Sequence, residues 1–89
     1  MLKLDIKHRA VKFIRKLPPK HRRQVSEKIL ELQYNPLLPD SEQLSGFPYK
    51  RSDIGEYRII YCVVGNTLFV PLVGKRNDDE VYRKLKRMG

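Results

Sequence analysis

The chain has 89 residues, enough for one small domain, and its 40% hydrophobic residues recur in periodic segments that favour a folded domain over disorder. Nineteen Lys and Arg against ten Asp and Glu leave a net charge of +9, a field that attracts polyanions, nucleic acid first and anionic membrane second. The single Cys62 excludes an internal disulfide, no apolar run is long enough to cross a bilayer, and the charged, alternating segment after Met1 does not read as a signal peptide, so a reducing cytoplasm is the expected location.

Leu2, Leu4 and Ile6 alternate with charged residues, the period of a half-buried strand. From about Lys7 the period changes: Ala10, Phe13, Ile14 and Leu17 fall on one helical face. Pro18 and Pro19 end that helix, and Pro19 suits the first turn of the next. The second helix runs to about Tyr34, burying Val25, Ile29 and Leu32, and stops at Asn35-Pro36. Residues 35–47 read as a loop. Phe47 to Ser52 is a short strand, Asp53-Ile54-Gly55 a turn, and Tyr57 to Val64 a strand rich in β-branched and aromatic residues. Gly65-Asn66 signals a hairpin returning through Thr67 to Val73. Pro71 inside that strand cannot donate to a ladder, so a bulge or unpaired position is expected there. Asn77 or Asp78 caps a last helix in which Val81, Leu85 and Met88 share a face. Asp78, Asp79 and Glu80 in its first turn, with Arg83, Lys84, Lys86 and Arg87 behind them, match the helix dipole. The predicted order is β-α-α-β-β-β-α: an α+β domain with a helical hairpin packed on a small, mainly antiparallel sheet.

Charge is distributed unevenly. Residues 1–34 carry ten basic and three acidic side chains, residues 57–89 seven and three, and residues 35–56 two and four. Two histidines in the helical hairpin, one cysteine and scattered carboxylates offer no metal-ligand spacing, there is no Gly-rich phosphate loop, and no serine has a nearby histidine. No metal or other cofactor is therefore expected.

What remains is a set of cations and a tyrosine on the strand half: Lys50, Arg51, Arg58, Lys75, Arg76 and Tyr82. Phosphodiester cleavage builds negative charge on phosphorus oxygens and on the leaving oxygen, and preplaced Arg and Lys stabilise it. A base must also take the ribose 2′-OH proton. A phenol near cations gives up its own proton more readily, and so does an ammonium crowded by other cations. Tyr82 and Lys50 both remain open as that base. Arg51, Lys75, Arg83 and Lys86 are expected to bind RNA phosphates. Plainer readings stand beside these. Arg58 is also readable as a structural charge paired with Glu56 or Asp53, Tyr57 and Tyr61 as core, Tyr82 as the edge of the core, and the C-terminal Lys/Arg run as a solvated helix face.

Ordered segments then carry a resemblance over essentially the whole chain. Phe13 to Pro18 (F-x-x-K-L-P), Asn35-Pro36, Leu44-Ser45-Gly46, GEYRIIY from Gly55 to Tyr61, VGKR from Val73 to Arg76, and DDEVYRKLKR from Asp78 to Arg87 together resemble the RelE/ParE toxin superfamily. The resemblance implies a type II toxin, held inactive by a cognate antitoxin usually encoded beside it. RelE-like members cleave mRNA in the ribosomal A site without a metal. By motif, the arginine of GEYR falls on Arg58, that of VGKR on Arg76, the helix tyrosine six residues later on Tyr82, and the lysine after the strand-opening tyrosine on Lys50. In the family this tyrosine is the proposed general base, the arginines stabilise the transition state and a lysine assists proton transfer. Ser52 stands where a second lysine is often found, with Arg51 adjacent. ParE-like relatives share the fold but poison DNA gyrase and lack the nuclease set; a non-nuclease toxin of that kind is the alternative. The expected partners are an antitoxin, mRNA and the ribosome, with no membrane.

Overall fold

A computed structural model describes residues 1–77 and 80–88, with the side chains of Glu80 and Met88 excepted. The predicted capping role of Asp78 and the charges of Asp78 and Asp79 lie outside the described residues. The elements run β1 (Lys3–Ile6), α1 (His8–Arg15), α2 (Pro19–Tyr34), β2 (Ser41–Gln43), β3 (Lys50–Ile54), β4 (Tyr57–Val64), β5 (Thr67–Lys75) and α3 (Glu80–Met88).

Five strands form one sheet in the order β1-β5-β4-β3-β2. β2, β3, β4 and β5 form antiparallel neighbours. β1 joins β5 in parallel, since the α1–α2 hairpin returns the chain across the sheet before the antiparallel strands begin. Side chains alternate across the sheet, so it has two cores. On one face Tyr57, Ile59 and Tyr61 of β4 meet Ala10 and Ile14 of α1 and Val25, Ile29 and Leu32 of α2. On the other, Ile60 and Leu72 meet Val81 and Leu85 of α3, with Leu44, Phe47 and Tyr49 closing the cluster.

Pro71 produces the expected irregularity. Ile60 pairs with Leu72 and Cys62 with Phe69, so Tyr61 alone stands opposite both Val70 and Pro71. A β-bulge at a residue without an N–H removes the need for a ladder hydrogen bond.

β2 was not expected. Its three residues, Ser-Glu-Gln, carry no apolar alternation; pairing with β3 and the ion pair of Glu42 with Arg51 hold them. The preceding loop is pinned down rather than loose. Tyr61 Oη donates to the Pro36 carbonyl at 2.6 Å, Ser41 Oγ to that of Leu38 at 2.7 Å, and the ammonium of Lys28 pairs with Asp40. β3 also begins three residues later than its sequence signals suggest and absorbs Asp53 and Ile54, expected in a turn. Gly55, at φ +56°, makes the turn that follows.

Candidate active site

The β3–β4 register decides which basic residues meet. Asp53 stands directly opposite Arg58, and Arg51 opposite Ile60. Since cross-strand partners share a face, Arg51, Asp53 and Arg58 all lie on the α3 side. The Nε and Nη2 groups of Arg58 donate to the two carboxylate oxygens of Asp53 at 2.8 and 3.1 Å, and its Nη1 donates to Tyr82 Oη. Arg51 donates from Nη1 to the same Asp53 at 3.0 Å and from Nη2 to Glu42. One carboxylate thus joins two guanidinium groups.

Tyr82 reaches this cluster because of how α3 sits. Val81 and Leu85 bury their side chains against Ile60 and Leu72, and the helix comes down on β5 at Gly74. Gly74 lies across the ladder from Arg58. A Cβ on it would lie 2.3 Å from Val81 Cγ2, so only a glycine admits the helix this closely. Tyr82, the next residue after Val81, packs at the edge of that cluster with its ring centroid 5.7 Å from Arg58 Cζ.

Arg76 follows β5 with an exposed side chain, and its backbone N–H donates to the Glu56 carbonyl at 2.9 Å. Its charge is felt at the cluster. Burial pushes the Asp53 carboxyl up, but the hydrogen bond and charge of Arg58, joined by the charges of Arg51 and Arg76, hold it below the usual carboxylate range. The hydrogen bond to Asp53 outweighs burial at Arg58 too, and raises its pKa further, with the Tyr82 hydroxyl contributing. Both partners stay charged.

The remaining sequence candidates lie elsewhere. Lys50 pairs with Tyr61 and Gln43, which puts it on the face of the helical hairpin. There it lines a cavity of about 400 Å³ with Pro36, Leu37, Gln43, Pro48, Cys62 and Val63. Ser52, two residues on, is fully buried on that same inner face. Of the two residues near the second-lysine position of the family, Arg51 and not Ser52 faces Arg58. Lys75, opposite Tyr57, also takes the hairpin side and is exposed. Arg83 and Lys86 are exposed along α3, away from the helix's buried stripe. Among the described residues no group of three His, Cys, Asp or Glu could hold a metal ion.

From sequence alone Asp53 reads only as a turn residue and as one possible counter-ion of Arg58. The available signal was a carboxylate five residues ahead of an arginine across a tight hairpin, but the register needed to use it was not visible.

No protein-family model matches the chain. The mRNA interferase toxin RelE of Escherichia coli strain K12 is 37% identical over 84 residues, covering 89% of this chain and 87% of the relative. The structure of the isolated E. coli RelE toxin matches with a TM-score of 0.75 at 32% identity, covering 100% of both chains. A chain of the intact E. coli RelBE toxin–antitoxin complex matches with a TM-score of 0.74 at 31% identity, covering 84% of this chain and 96% of that one. With more than a third of its residues shared along nearly its full length, and the same fold beneath them, this chain belongs to the RelE toxin family.

Proposed function

We propose that this chain is the toxin of a type II toxin–antitoxin system, and that it acts as a metal-independent endoribonuclease cleaving mRNA in the ribosomal A site. The observation that carries this reading is the contact of Arg58 Nη1 with Tyr82 Oη, on the one face where Arg51 and Arg58 gather. A guanidinium that donates to the phenol oxygen fixes that oxygen in place, and a general base must be held within hydrogen-bond reach of the proton it takes. In the proposed reaction Tyr82 Oη takes the ribose 2′-OH proton and the 2′-oxygen attacks phosphorus. Arg58 and Arg76 stabilise the charge gathering on the phosphoryl oxygens. The P–O5′ bond then breaks, the 5′-oxygen takes a proton from solvent, and the upstream fragment ends in a 2′,3′-cyclic phosphate. Arg51, Lys75, Arg83 and Lys86 supply phosphate contacts or general field, and most of the nineteen basic residues serve only the field. Lys50 assists proton transfer in this scheme only if RNA reaches round the β2 edge of the sheet to its cavity.

A cognate antitoxin is the expected partner, because a +9 surface suits an acidic segment that folds on binding. A cytoplasmic location fits a chain whose described residues include no helix long and apolar enough to cross a membrane. The gyrase-directed alternative lacks a supporting feature here, since the Arg58–Tyr82 contact has no part in it. The test is in vitro translation with purified toxin, mapping new 5′ ends by primer extension. Wild type cleaves within codons on the ribosome. Arg76→Ala and Tyr82→Phe each lose on the order of 100-fold in rate, the scale of a missing charge stabiliser or general base. Undiminished cleavage by both variants refutes the site.

A further inference from the structure

Arg58 is a long side chain with five N–H donors, and its usefulness depends on where they point. Asp53 takes the Nε hydrogen and one on Nη2; Tyr82 takes one on Nη1. One N–H on each terminal nitrogen is left for a phosphate oxygen. The backbone fixes this arrangement, since Asp53 and Arg58 are direct partners in the ladder. A simple strand-to-strand ion pair would need one arginine, yet the same carboxylate also receives Arg51. Arg51 and Arg58 would repel each other on a bare face, and Arg76 adds a third charge nearby.

We propose that Asp53 is a positioning residue for cleavage: its carboxylate grips one edge of the Arg58 guanidinium so that Nη1 stays aimed at Tyr82 Oη, and it holds Arg51 beside them. The proposal rests on the nuclease reading above. Asp53 touches neither substrate nor reacting atoms; it acts through Arg58.

The experiment compares wild type, Asp53→Asn and Asp53→Glu on programmed ribosomes, with rates normalised to the folded fraction. Asparagine keeps the shape and loses the charge. Its kcat falls about tenfold or more, as expected for a misplaced reacting group, while KM does not rise because the arginines remain available to RNA. Asp53→Glu keeps the charge, so it recovers part of the kcat. If Asp53→Asn does not fold, the smaller neutral Asp53→Ser takes its place with the same expected fall in kcat. A neutral variant that cleaves as fast as wild type, or faster, overturns the proposal, as does a slower one whose loss lies in KM rather than kcat. Wild type that leaves the message whole overturns the nuclease reading and this proposal with it; wild-type cleavage matched by every Asp53 variant overturns this proposal alone.

Discussion

Replacing Gly74 by alanine tests whether the seat of α3 on β5 sets the Arg58–Tyr82 contact. The new methyl would stand 2.3 Å from Val81 Cγ2, so the two must separate by roughly 1.2–1.7 Å to reach ordinary contact. Val81 and, one turn later, Leu85 are both nearly fully buried in the same cluster, so a side-chain turn meets packed neighbours. The first turn of α3 must therefore lift, and Tyr82 lifts with it. Overpacking of this kind costs about 2 kcal/mol, which in a domain of this size lowers Tm by roughly 10 °C. An ångström of misplacement at a reacting group costs on the order of 100-fold in rate. Thermal melts monitored by circular dichroism read the first effect, and message cleavage at a temperature where the variant stays folded reads the second. Gly74→Ala combined with Val81→Ala removes the opposing methyl groups and recovers most of the cleavage. An alanine variant with wild-type Tm and rate, or a double variant no better than the single, refutes this account of how α3 is placed.

Other consequences concern stability and reactivity. Asp53 has a folded pKa below its unfolded value of about 3.9, so its contribution is complete above that pH and is lost as pH falls through the lower folded value. The Tm gap between wild type and Asp53→Asn should therefore be widest near neutrality and shrink below about pH 4; a gap that stays constant to pH 2 contradicts the ion pair. Among the described residues Ser52 Oγ is buried without a hydrogen-bond partner, so Ser52→Ala should raise stability by about 1 kcal/mol in urea titrations, and a loss of stability would mean the hydroxyl is satisfied. Burial pushes the Cys62 thiol pKa up, leaving little thiolate at neutral pH. Iodoacetamide should alkylate it more slowly than free cysteine, and denaturant should abolish the difference.

Much of the architecture could be read directly from local pattern. The α1 stripe of Ala10, Ile14 and their neighbours, the prolines that part the two helices, the apolar run of β4 and the glycine turn before β5 are short-range signals, and each became the expected element. Pro71 was legible for the same reason: a residue without an N–H forces the ladder to yield wherever it falls. β2 was not legible, because three polar residues become a strand only when a neighbouring strand offers them partners. The late start of β3 follows similarly from its pairing with β4 rather than from its own residues.

For the site, the sequence by itself determined the chemistry available: a strongly basic chain, arginines on two strands, a tyrosine on the last helix, and family motifs that point to the same residues. Which of those residues meet is a matter of register, and register is a long-range property. Moving a pairing by one residue exchanges the two faces of a strand, so the motif that favours Lys50 over Arg51 carries no information on which of them faces Arg58. Tertiary structure decided between them, turning Lys50 towards the helical hairpin and Arg51 towards Arg58. It also placed Asp53 between two arginines and lowered α3 onto Gly74, so that Tyr82 ends against the one guanidinium positioned to receive it.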